Sequence, residues 1–194
     1  MSMAGSQLTA PTDGWHLWTP RTTSAAEFET IATAVNEFAP DEFACEGSRW
    51  GQYGAAWLKE RAIETYPSIV TRVYLRNGLL EAFYGLSGAT VRLTQRHRTT
   101  AGGGTVGLSP VQPATLLAWF GLHRDATTSF GEILSHAVGV ALEVRDLQGS
   151  LVLVIDPFDE HVADMLTALY PFRRAVATVP GAPRRLWMPL VSSD

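Results

Sequence analysis

The chain has 194 residues, enough for one well-buried domain and too few for two of ordinary size. Its 46% apolar and 18% charged residues exclude a disordered or low-complexity chain, and its net charge of −4 excludes a nucleic-acid binder that works through the field of the whole molecule. The longest apolar run, residues 116–122, falls far short of the roughly 20 residues that cross a bilayer. Cys45 is the only cysteine, which removes internal disulfides and cysteine-cluster metal sites. No metal is expected from the histidines either, since His16, His123, His136 and His161 lie at no ligand spacing. Residues 1–14 carry neither a basic start nor an apolar stretch. They read as a frayed tail, with residues 15–194 as a single domain and the cytoplasm as the expected compartment.

Phe28, Ile31, Ala32, Val35 and Phe38 recur at helical spacing behind Ser24, a suitable N-cap, and Pro40 stops the run. A second helix starts near Ser48, carries Trp50, Tyr53, Trp57, Leu58 and Ala62, and ends by Pro67. Two short helices are therefore expected ahead of the sheet. Residues 69–75 are rich in β-branched and aromatic side chains, Asn77-Gly78 marks a tight hairpin, and residues 79–93 return as a long antiparallel strand. Residues 94–113 hold Gly102-Gly103-Gly104 and two prolines and read as a long loop, opening on Gln95-Arg96-His97-Arg98. A central strand over 114–122, a helix over 131–147 and a strand over 151–155 form a crossover, which requires parallel pairing. A helix over 159–170 and a hairpin of 174–178 with 185–190 around Pro180-Gly181 close the chain. This order specifies an α+β fold with a mixed, twisted sheet of six to seven strands and about four flanking helices.

Five strings, taken in order, carry a resemblance: Phe43-Ala44-Cys45-Glu46-Gly47, Trp57-Leu58-Lys59, Phe83-Tyr84-Gly85-Leu86-Ser87, Pro110-Val111-Gln112-Pro113 and Leu116-Leu117-Ala118-Trp119-Phe120. Together they resemble the GNAT superfamily of acyl-CoA acyltransferases, and more closely the small acetyltransferase toxins of bacterial toxin-antitoxin pairs. The resemblance implies a GNAT-like fold, acetyl-CoA as cofactor, an aminoacyl-tRNA acetylated on its amino group, an antitoxin protein as partner and, in many such toxins, a homodimer. It places Cys45 in a structural N-terminal element.

In that superfamily a Gln/Arg-x-x-Gly-x-Gly/Ala loop before a helix holds the CoA pyrophosphate on backbone N–H groups and the helix N-terminus. The corresponding interval here runs from Arg124 to Glu132, keeps Gly131 alone, and is about two residues shorter. Asp125 and Glu132 add negative charge there, while Thr127, Thr128 and Ser129 remain as a helix cap or as phosphate donors. With Trp119 and Phe120 they are expected to line the acyl-donor groove. The tyrosine that protonates the leaving thiolate in the family corresponds to Thr167, a poor acid, and Tyr170 stands three residues on, near the same helical face. His123 ends the central strand and is a candidate general base, and Asp156 reads as a base or a turn cap.

A degraded phosphate loop and a missing thiolate acid point together to a donor other than CoA. The leading expectation is transfer of the aminoacyl group of an aminoacyl-tRNA to a small amine acceptor. The alternatives are acetyl-CoA-dependent N-acetylation of an aminoacyl-tRNA or a small amine, and a non-catalytic GNAT-like binding domain. All but one of the 15 basic residues are arginine, Lys59 being the exception, and their planar forks suit phosphate. Arg92, Arg96, Arg98, Arg173, Arg174, Arg184 and Arg185 form the clusters expected to hold tRNA.

Overall fold

The computed structural model describes residues 12–19, 23–41, 50–62, 68–100, 110–175 and 185–190. β1 (Gly14–Leu17) leads into α1 (Ala25–Glu37) and α2 (Trp50–Glu60), followed by β2 (Val70–Arg76), β3 (Leu79–Arg92) and α3 (Gln95–Thr100). Then come β4 (Val111–Leu122), α4 (Phe130–Gln148), β5 (Val152–Ile155), α5 (Glu160–Leu169), β6 (Arg173–Arg174) and β7 (Leu186–Pro189). The strands form one seven-stranded sheet in the order β1-β2-β3-β4-β5-β7-β6. Every neighbouring pair is antiparallel except β4 with β5, the pair joined by the α4 crossover.

Local chemistry accounts for the boundaries. The Ser24 side chain accepts the Glu27 N–H and starts α1, and Asp159 does the same for α5 through Val162. The β2–β3 turn needs two residues at positive φ, which Asn77 (51°) and Gly78 (78°) supply, and the Asp13 side chain accepts the Asn77 N–H at 2.8 Å. Ser129 and Glu132 close a reciprocal capping box on α4, and Gly149 in the left-handed region ends that helix.

Apolar side chains divide the molecule into layers. α4 and α5 pack Ile133, Leu134, Ala137, Val162 and Leu166 on one sheet face against Tyr84, Phe120, Leu153 and Ile155. α1 and α2 cover the opposite face with Ile31, Val35, Phe38 and Leu58 over Val73, Leu80 and Phe83. Farther along that second face, Val91, Ala114, Val152, Val154 and Trp187 make a third cluster.

Two strands depart from simple alternation. Gly85 pairs with Trp119 and Leu86 with Leu117, so Ala118 is an extra residue in β4. Tyr74 pairs with Ala82 and Leu75 with Leu80, so Glu81 is an extra residue in β3. A bulge re-aims side chains and increases local twist. Leu80 accordingly faces the α1/α2 layer, whereas Ala82 and Tyr84 face α4.

The structure corrects two expectations. A strand, β1, precedes the first helix and begins inside the expected tail; His16 and Trp15 pair there with Val73 and Tyr74. The stretch expected as one loop over 94–113 holds α3 at its start and the first residues of β4 at its end. Residues 1–11, the Cys45 element, Gly102-Gly103-Gly104, Pro180-Gly181 and Arg184 lie outside the described residues.

Candidate active site

β4 and β5 pair only from Ala114 opposite Val152 to Leu117 opposite Ile155. Past that point the bulge at Ala118 interrupts β4, which runs on to Leu122 while β5 ends at Ile155, so β4 extends beyond its parallel partner. Asp156, the first residue past β5, is gripped by Arg185 through two bonds of 2.7 and 2.5 Å. Arg185 also donates to the Thr90 carbonyl at 2.6 Å and so ties Asp156 to β3. Aromatic rings cluster on both sheet faces near this stretch of β4. Phe120 meets Phe130 at 4.8 Å and Phe130 meets the edge of Tyr170 at 5.3 Å on the α4/α5 side. On the α2 side, Tyr53 and Phe158 meet at 5.5 Å and Trp57 stacks on Trp119 at 5.7 Å. Tyr53 and Phe158 are 45% and 54% exposed, so this pair offers ring surface to an incoming group.

The loop from β4 to α4 is built around a buried acid. Glu81, 3% exposed, accepts the Thr128 N–H at 3.1 Å and the Thr127 hydroxyl at 3.0 Å. Arg76 stands 3.7 Å from the same carboxylate, bonds Thr127, and donates to the Tyr74 hydroxyl at 2.8 Å. One residue on, the Ser129 N–H donates to Glu132 at 2.7 Å, and the Glu132 N–H donates to the Ser129 hydroxyl. Those bonds hold the Glu132 carboxyl below its usual range, the Ser129 backbone N–H first among the causes. Asp125 N–H is taken by the His123 ring and Ala126 N–H by the His123 carbonyl.

A pyrophosphate needs such N–H groups free and converging at a helix start. Here two carboxylates already hold the Thr128 and Ser129 donors. The residues present do not fit the pyrophosphate of a CoA donor at this loop.

The candidate catalytic residues separate on the same criterion. His123 is buried against Phe38, and its Nδ1 accepts the Asp125 N–H at 3.1 Å, which leaves the proton of the neutral ring on Nε2. No lone pair then remains to take a proton from an amine. The Thr167 hydroxyl donates to the Ala163 and Asp164 carbonyls of its own helix, each at 3.0 Å. Tyr170 caps the C-terminus of α5 and directs its hydroxyl at the start of α4, 3.7 Å from where a Cβ on Gly131 would lie. Because that distance is an ordinary contact, Gly131 is not required sterically.

The expected donor-groove residues divide between the two sheet faces: Phe120, Thr127, Thr128, Ser129 and Gly131 gather near α4, while Trp119 joins α2. The arginines divide too. Arg174 pairs with Glu160 (2.5 Å) and Asp164 (2.6 Å), and Arg185 with Asp156. Arg173 lies 5.6 Å over the Trp187 ring, and His97 meets the same ring at 5.1 Å. Desolvation pushes the His97 pKa down, with the charges of Arg173 and Arg96 adding to it. α3 and β6, distant in sequence, thus form one basic edge. Arg92 is exposed at the end of β3, and the Arg98 side chain lies outside the described residues. Among the described residues no three His, Cys, Asp or Glu side chains gather as a metal site requires.

Glu81 and Arg76 are the site residues that sequence reasoning missed. The available signal was a single acid inside the otherwise apolar run from Leu79 to Leu86.

No protein-family model matches the chain, and no curated protein matches it. Solved structures do match. AtaT complexed with acetyl-methionyl-tRNAfMet has a TM-score of 0.62 at 14% identity, over 80% of this chain and 86% of that one. A Tyr-to-Phe mutant of the AtaT toxin, bound to the C-terminus of the antitoxin AtaR and acetyl-CoA, gives 0.57 at 13%, over 80% and 85%. A Tyr-to-Phe mutant of KacT gives 0.56 at 16%, over 78% and 88%. The likeness shows the fold: this chain carries the GNAT-like fold of those proteins.

Proposed function

We propose that this chain is an amine N-acyltransferase that places an acetyl-class acyl group on the amino group of an aminoacyl-tRNA. The observation that carries the reading is the run of β4 past the end of β5, with the bulge at Ala118 where they part, in a fold shared with AtaT bound to acetyl-methionyl-tRNAfMet; the proposed acyl-transfer cleft lies there. The reverse arrangement, with aminoacyl-tRNA as donor and a small amine as acceptor, takes second place, because that neighbour's tRNA carries the acetyl group.

In the proposed reaction the amine nitrogen attacks the acyl carbon, the N–C bond forms, and the bond to the leaving atom breaks. The proton released by nitrogen passes to the leaving group. Tyr170 is the side chain suited to hand on that proton, since the hydroxyl of Thr167 and the Nδ1 of His123 are engaged within the fold. The acceptor enters past the exposed Tyr53–Phe158 pair, whose faces suit stacking on a terminal base. Phosphates behind that base meet the edge made by Arg96 and Arg173. A protein segment that silences the enzyme is part of the proposal, as the C-terminus of AtaR does bind AtaT.

The test is incubation of the protein with a pool of charged tRNAs and an isotope-labelled acetyl thioester, followed by nuclease digestion and mass spectrometry. N-acetyl-aminoacyl-adenosine is the expected product. Deacylated tRNA with the amino acid joined to a small amine contradicts the reading in favour of the second one.

A further inference from the structure

We infer that the Glu81 carboxylate occupies the position at the start of α4 where a donor's pyrophosphate is held in other acyltransferases of this fold, so that the donor is recognised through its thioester arm and not through its nucleotide. The inference rests on the acyl-transfer reading above and names the donor class that reading leaves open. Several observations support it together. Glu81 sits at a β-bulge, where β3 adds one residue and aims the acid toward α4. Its carboxylate accepts a backbone N–H from Thr128 and a hydroxyl from Thr127, the donor types that hold a phosphate oxygen at a helix start. Arg76, the cation that could answer a second negative group there, is engaged by Glu81, Thr127 and Tyr74 and lies 5.2 Å over the Tyr74 ring.

A buried carboxylate with these partners is costly to displace, because the displaced charge must find water while the incoming one loses it. Glu132 reinforces the exclusion by capping the next turn from inside. The nucleotide half of CoA, with its additional negative charge, gains nothing from such a loop. A pantetheine thioester without the nucleotide loses nothing. The chemistry of the step is unaltered: the acceptor nitrogen displaces sulfur at the carbonyl carbon, and the thiolate takes the proton that nitrogen gives up, with no change of oxidation state.

The probes are acetyl-CoA and S-acetyl-pantetheine, compared for calorimetric affinity and for kcat/KM with the same charged-tRNA acceptor. For the wild-type chain the two thioesters are expected to agree within about threefold on both measures. A preference for acetyl-CoA above about tenfold, the increment a single charge-assisted hydrogen bond supplies, overturns the inference. Glu81→Ala frees the Thr128 N–H and is expected to raise the ratio of acetyl-CoA affinity to S-acetyl-pantetheine affinity. Glu81→Gln keeps the side-chain volume, guards against a failure of Glu81→Ala to fold, and is expected to shift the same ratio in the same direction by less. An unshifted ratio in both variants contradicts the assignment of Glu81. Turnover of neither thioester by a wild-type chain that binds charged tRNA overturns the acyl-transfer reading itself, which separates the two failures.

Discussion

At the start of α4, Glu81 and Glu132 hold the N–H groups of Thr128 and Ser129, and Arg76 stands beside the Glu81 carboxylate. Around β7, His97 and Arg173 meet the Trp187 ring, and the charges of Arg173 and Arg96 act together there. The chain as a whole is negative, so the second region is a local feature placed by the fold. The comparison teaches that a phosphate-binding position defined by loop and helix is lost when one acid enters from a neighbouring strand. On the proposed reading, phosphate is met instead by the cations brought together where α3 and β6 meet.

The largest expected effect breaks the closed region. Glu81→Ala leaves a buried N–H without an acceptor and Arg76 without its carboxylate, and is expected to cost about 3 kcal/mol in chemical denaturation. Almost as damaging is Gly121→Ala, since a Cβ there lies 2.5 Å from the buried Phe83 ring in the adjacent strand; a loss of about 1 to 3 kcal/mol is expected, with the basic edge unaffected. Ser129→Ala removes the cap of α4 and is expected to lower stability by about 1 kcal/mol.

Replacing Arg96 and Arg173 with Gln leaves the melting temperature in place and sharpens the contrast from the other side. The slope of log affinity for tRNA against log salt is expected to fall by about 0.7 to 0.9 for each residue removed. The smallest effect concerns acidity. Burial, then the Arg72 charge, holds the His136 pKa below its ordinary value, and the Tyr84 hydroxyl, itself kept protonated by burial, shares a hydrogen bond with its Nδ1 at 2.8 Å. The unfolded chain therefore binds the proton more readily. Stability is full above pH 6.5 and is lost as pH falls through the lower folded value, a change that His136→Gln removes from the denaturation profile.

Most of the fold was legible because its signals are local. Ser24, Asn77-Gly78 and the apolar spacing of α4 act within a few residues of themselves, and each element appears where they place it. β3 and β4 were legible as strands as well, but not the bulges at Glu81 and Ala118, because a register shift depends on the partner strand. The site was harder for the same reason. Glu81 meets Thr128 across 47 positions and Arg185 meets Asp156 across 29, so neither bond leaves a spacing to find. Arg174 and Arg185 look like phosphate ligands in the sequence and turn out to be bonded to Asp164 and Asp156. The weakened phosphate loop was visible; the acid that fills it was not.

The measurement that tests this account most directly is the backbone amide spectrum of the isotope-labelled protein during titration with acetyl-CoA. The account predicts that the Thr128 and Ser129 amide signals keep their positions at saturation, while those of Ala118 and Phe120 along the cleft move. Thr128 and Ser129 shifting the most would show that a pyrophosphate displaces Glu81, and would contradict it.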